Sequence, residues 1–202
     1  VKGRFTLKAE SYDQLIDSPF ELAEQTRFSF EANAIAHEFV VSGQHQTNVE
    51  RLKSDLTKIC ETEIAIFGSA PFKNYTFMTM ATGNSYGGLE HCNSTSLITP
   101  RNDLPKANEP EEPSEDYKRF LGLCSHEYFH SWLVKFIRPE NFAQYNLHQE
   151  SYTSLLWIFE GFTSYYDDLI LLRSGVISQT SYLKLLKAQM DRYLQNSGRF
   201  IQ

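Results

Sequence analysis

Two histidines four residues apart, His126 and His130, frame the segment His126-Glu127-Tyr128-Phe129-His130, and this spacing constrains the fold more than any other feature. In an α-helix, positions four apart share one face with Cβ atoms about 5–6 Å apart, so both rings can present a nitrogen to one metal ion. Glu127 stands about 100° round such a helix from His126, beside the metal position, where it can hold and deprotonate a bound water. Helical periodicity supports this reading and predicts a helix over Ser114–Ile137, stopped by Pro139.

A catalytic zinc ion takes three protein ligands and keeps a fourth position for water, so a third ligand is expected downstream. Glu160 follows Leu155-Leu156-Trp157-Ile158-Phe159 and precedes Gly161-Phe162. A helix there is apolar on nearly every side and would bury the carboxylate, and a buried charge requires compensation. A cation shared with the two histidines provides it; the alternative is a salt bridge to a Lys or Arg. Upstream, Gly87-Gly88-Leu89-Glu90-His91 follows a predicted strand. Paired glycines at Gly87 and Gly88 let a substrate backbone approach closely, and Glu90 is either the holder of a substrate ammonium group or an exposed residue of a turn.

The remaining pattern places strands early and helices late. Val1–Glu24 holds a strand-like run at Arg4–Ala9 and a break at Ser18-Pro19, and reads as the tail of a preceding unit. Strands are expected within Arg27–Val41, where Phe28, Phe30, Ala32 and Ala34 alternate with polar neighbours, and at Tyr75–Ala81, which leads into a glycine-rich loop at Thr82–Gly88. Asn48 can cap a helix carrying Val49, Leu52, Leu56, Ile59 and Cys60 on one face. Asp103–Asp116 reads as a solvated loop without chemistry, and helices are expected at Ser154–Leu172, ending at Gly175, and at Thr180–Leu194. The result is an α+β fold: an N-terminal β-rich lobe with a helix, then a helical lobe carrying HExxH and the downstream Glu. The formal charge of −6 over 202 residues offers no basic stripe for nucleic acid. Apolar runs are too short to span a membrane, so a soluble protein is expected, cytoplasmic or periplasmic, with no targeting segment in these residues to choose the compartment. Three widely spaced cysteines, Cys60, Cys92 and Cys124, read as ordinary thiols, with Cys124 off the histidine face.

Four stretches together resemble peptidase family M61, the glycyl aminopeptidases, within the thermolysin-like gluzincins: Asp17-Ser18-Pro19, Gly87–Leu97, His126–Pro139 and Leu156–Gly175. The resemblance runs almost end to end. It implies a thermolysin-like zincin catalytic domain over 26–202, preceded by the end of a β-rich domain or linker at 1–25 and truncated at its C-terminal end, with a PDZ domain following in the full-length protein. It implies one zinc ion on His126, His130 and Glu160, and Glu127 as general base. Glu90 corresponds to the amine-binding glutamate of a GxMEN-type motif, with Leu89 for Met and His91 for Asn. Two departures accompany it. The stretch from His130 to Glu160 is long, which implies an inserted loop around Arg138–Ser151, and position 164 is Ser where related sites carry Asp. The orienting partner of a histidine is then Asp167, Asp168 or a backbone carbonyl.

These roles imply hydrolysis in which Glu127 takes a proton from water and returns it to the leaving amine, with a donor for the oxyanion beside the metal. Tyr165 and Tyr166 are either that donor or packing residues, and a donor beyond Gln202 is the third possibility. The expected substrate is a peptide with a free N-terminus and a small first residue, Gly or Ala. A zincin endopeptidase shares every zinc residue, and a zinc-binding but catalytically incomplete fragment is the remaining reading.

Overall fold

The computed structural model describes residues 6–143 and 146–200. Helix α1 (Tyr12–Ile16) precedes a hairpin of β1 (Gln25–Ala32) and β2 (Ile35–Ser42); α2 (Val49–Phe67) crosses to β3 (Asn74–Thr82), followed by β4 (Gly87–Glu90) and β5 (Ser94–Pro100). The helical part comprises α3 (Glu115–Phe129), the short α4 (Glu140–Ala143), α5 (Leu156–Arg173) and α6 (Gln179–Gln195). This is a mixed α+β fold around one five-stranded sheet in the order β1-β2-β3-β5-β4. The hairpin and the β4–β5 pair are antiparallel, whereas β2–β3 and β3–β5 are parallel. No helix among the described residues is long and apolar enough to cross a membrane.

Local signals account for most of these elements. The hairpin turns at Asn33-Ala34, both with positive φ (47° and 61°), so Ala34 belongs to the turn and not to the strand alternation. Asn48 Oδ1 accepts from the Arg51 amide at 3.2 Å, as an N-cap should, and Gly68 closes α2 in the left-handed region. Leu52, Leu56, Ile59, Cys60 and Ile64 put the apolar face of α2 into the core. One apolar cluster runs from Phe30 and Phe39 in the sheet through α2 and α3 to Ile170 and Ile177, so sheet and helices share a core. Each large side chain fully buried there contributes about 1.5–3 kcal/mol.

The structure corrects several expectations. Residues 4 and 5 of the strand-like run lie outside the described residues, and Thr6–Ala9 form no regular element. Gly87 and Gly88 belong to the edge strand β4 and not to a loop, with Gly88 opposite Leu97 and Glu90 opposite Thr95. Asp103, assigned to a solvated loop, is buried and paired with Arg119 at 2.7 Å. Helix α3 ends at Phe129, not Ile137, with His130 as its C-cap. Tertiary packing overrides the periodicity there. Trp132 stacks on Phe67 at 4.6 Å between ring centroids and donates its indole N–H to Ser69 O at 2.7 Å, drawing the chain toward the end of α2.

Candidate metal and catalytic site

Helix α3 is fastened from behind. Tyr128 is fully buried, packs edge-on against Tyr75 at 4.7 Å, and pairs through its hydroxyl with His37 Nε2 at 2.8 Å. Phe120, Leu121 and Cys124 are buried on the same helix, so Cys124 is a core residue. Ser125 Oγ donates to Glu63 Oε1 of α2 at 3.0 Å or to the Asp167 carbonyl of α5 at 3.1 Å, joining three helices beside His126. Neither Ser125 nor Glu63 was marked by the sequence, because the contact spans 62 residues.

His126, His130 and Glu160 come together as a group able to hold a metal ion. The two Nε2 atoms are 3.1 Å apart, and Glu160 Oε2 lies 3.5 Å from the first and 3.7 Å from the second. Ligand atoms 2.0–2.1 Å from one tetrahedral ion would be separated by about 3.3–3.4 Å, close to this triangle. The second nitrogens strengthen the fit. His126 Nδ1 pairs with Asp167 Oδ2 at 3.1 Å, and His130 Nδ1 pairs with the Leu133 carbonyl at 2.9 Å. With both Nδ1 atoms donating, two Nε2 lone pairs face one another and call for a cation or a proton between them.

The electrostatics agree. Burial opposes a charge on His126, but its hydrogen bonds with Asp167 and Glu160 raise it to about 10, while Glu160 is held below its ordinary value chiefly by His126. A proton satisfies this cluster as a metal ion would. Glu160 differs from expectation in one respect: its side chain is 56% exposed, and Leu156, Trp157 and Phe162 around it are exposed too. The residue lies beside the histidines, but enclosure by apolar neighbours is not what holds it there.

Glu127 is buried, and burial raises its carboxyl to about 7 against the opposing pull of His126. Its Oε2 has no hydrogen-bond partner, an orphan that a bound water or substrate proton would satisfy. Gly88 passes directly over it: a Cβ on Gly88 would fall 2.3 Å from Glu127 Oε1. The glycine therefore makes room for this side chain, whereas Gly87 meets only Ile98, at 3.9 Å. Glu90, at the end of β4, forms a second cluster with Glu127 and His130. Two clefts flank the group, one of about 740 Å³ reaching from Glu127 to α6 and one of about 780 Å³ bordered by Glu90, His91, Asp17 and Lys135.

The downstream candidates separate. Asp167 reaches His126, while Asp168 accepts from Gln189 Nε2 at 2.9 Å. Tyr166 stacks on Phe129 at 5.3 Å, and Tyr165 packs edge-on against Tyr166 and is half exposed. The expected loop at Arg138–Ser151 contains α4, and its residues 144 and 145 lie outside the described residues.

Comparison with known proteins gives the class first: the matches are to peptidases. Residues 119–202 match the family model of the M61 glycyl aminopeptidases. The structure is similar to the crystal structure of an aminopeptidase N family protein from Idiomarina loihiensis, with 50% identity and a TM-score of 0.86 over 88% of this chain. The chain spans 30% of the length of that protein. It is also similar at 13% identity, over 75% of this chain and 29% of the other, to a two-domain M1 zinc metallopeptidase variant bound to L-arginine, with a TM-score of 0.48, too slight to support any inference. No curated protein matches significantly.

Proposed function

We propose that residues 26–202 form the thermolysin-like catalytic domain of a zinc aminopeptidase, following the end of a β-rich domain or linker at 1–25, with a PDZ domain beyond it in the full-length protein. The observation that carries this reading is the triangle of His126, His130 and Glu160 with both Nδ1 atoms already engaged. One zinc ion held there would supply a Lewis acid that acidifies water and polarises the scissile carbonyl.

The protein's own groups do the rest. Glu127, beside the triangle and without a partner on Oε2, takes the proton from water and delivers it to the leaving amine. Asp167 holds His126 in the tautomer that offers Nε2, and the Leu133 carbonyl does the same for His130. Glu90 receives the substrate ammonium, so that cleavage falls one residue from the N-terminus. The edge position of β4 leaves the outer backbone edge of that strand for a peptide to pair with, and the family resemblance points to a small first residue, Gly or Ala.

Metal analysis combined with hydrolysis of Gly- and Ala-anilides by the full-length protein tests this. One zinc per chain is expected, lost in His126→Ala, with N-acetylated substrates untouched. Equal cleavage of acetylated peptides would identify an endopeptidase instead, and zinc binding without turnover a catalytically incomplete domain.

A further inference from the structure

Asp17 sits where two parts of the site meet. It is the C-cap of α1, and its side chain reaches two distant segments. Oδ2 accepts from the Cys92 amide at 2.8 Å, two residues past Glu90. Oδ1 accepts from Lys135 Nζ at 2.9 Å and lies 3.5 Å from Nδ1 of His91, a ring that is itself only 8% exposed. Lys135 belongs to the turn that orients His130: its amide donates to the His130 carbonyl at 3.0 Å, and Leu133, two residues earlier, accepts from His130 Nδ1. Between them Val134 adopts a φ of +154°, a value that a β-branched residue holds only where its surroundings over-determine it.

A carboxylate suits this junction because it accepts from several donors at once and attracts the ammonium. Although partial burial works against its charge, His91, the Cys92 amide and Lys135 hold the Asp17 carboxyl well below the usual carboxylate range. An anchor needed only to fasten a five-residue helix would not require contacts on both flanks of the metal group. We propose that Asp17 is a positioning residue that locks the strand end bearing Glu90 to the Leu133–Lys135 turn orienting His130, and so sets the spacing between amine recognition and the metal group. The proposal rests on the aminopeptidase reading of Glu90 given above.

Asp17→Ala, Asp17→Asn, Lys135→Met and Glu90→Gln, made in the zinc-loaded full-length protein, test it. For Asp17→Ala we expect KM for Ala-anilide to rise on the order of tenfold, with kcat changed less than about threefold and zinc content unchanged. Asp17→Asn and Lys135→Met should fall between this variant and the wild type. Amide hydrogen exchange, read independently of turnover, should accelerate across 87–94 in the Asp17 variants. If Asp17→Ala fails to fold, the two milder variants decide. A fall in melting temperature with KM and exchange over 87–94 at wild-type values would show that Asp17 only fastens α1, and would overturn the proposal. If instead Glu90→Gln leaves KM unchanged, the aminopeptidase reading fails and the role of Asp17 in amine recognition fails with it, an outcome recognisable from that variant alone.

Discussion

Helices α3 and α5 bring their side chains to the candidate metal site in opposite ways. His126 and His130 project from a helix whose other face is sealed by Phe120, Leu121, Cys124 and Tyr128, and both rings are fixed by hydrogen bonds at Nδ1. Glu160 comes from the first helical turns of α5, whose start has no side-chain cap and whose neighbours Leu156 and Trp157 face solvent. Further along, α5 is buried at Thr163, Ile170 and Leu171. Two candidate ligands are thus preorganised by the core, while the third stands at the less supported end of its helix. A ligand held mainly by charge depends on the cation itself, whereas ligands held by packing are in place before it arrives.

The contrast can be broken in several ways. The largest effect is expected at Glu127, on the rigid helix: Glu127→Gln should lower kcat by roughly 10²–10⁴-fold while zinc stays bound, which steady-state kinetics and metal analysis together would check. Next is Asp167, the link between the two helices. Asp167→Asn should weaken zinc binding by about 10–100-fold in a chelator competition, because His126 loses the carboxylate that fixes its tautomer.

Packing should follow the same asymmetry. Tyr128→Phe removes the buried partner of His37 and should cost about 1–3 kcal/mol in urea unfolding, whereas Trp157→Ala, at an exposed position on α5, should stay within about 0.5 kcal/mol. A Trp157 effect as large as that of Tyr128 would show that the α5 start is as firmly supported as α3. The smallest effect concerns pH. The Asp17 carboxyl is depressed in the folded protein, so its stabilisation is present above the unfolded value of about 3.9 and is lost as pH falls toward the folded value. The stability difference between wild type and Asp17→Asn should therefore shrink as pH falls below about pH 4, which urea unfolding across that range would check.

Local signals were the legible ones. The Asn48 cap, the apolar face of α2 and the start of α3 at Ser114 follow from residues within one or two turns of each other. The end of α3 was not legible, because Trp132 answers to Phe67 at the end of α2 and to Ser69 just beyond it. Glu160 was picked out by an argument from burial, yet its side chain is 56% exposed and its Oε2 stands 3.5 and 3.7 Å from the two histidine Nε2 atoms. Gly88 was read as space for a substrate, and the space it leaves is occupied by Glu127.

By itself the sequence determined which atoms can bind a metal and on what kind of element, since ligand spacing and helix periodicity are properties of adjacent residues. Only the tertiary structure decided how those atoms are held. The contacts of Asp17 with Cys92 and Lys135 cross 75 and 118 residues, and those of Ser125 with Glu63 and Asp167 cross 62 and 42. Such pairings arise from packing of the shared core, and nothing in a short stretch of sequence encodes them.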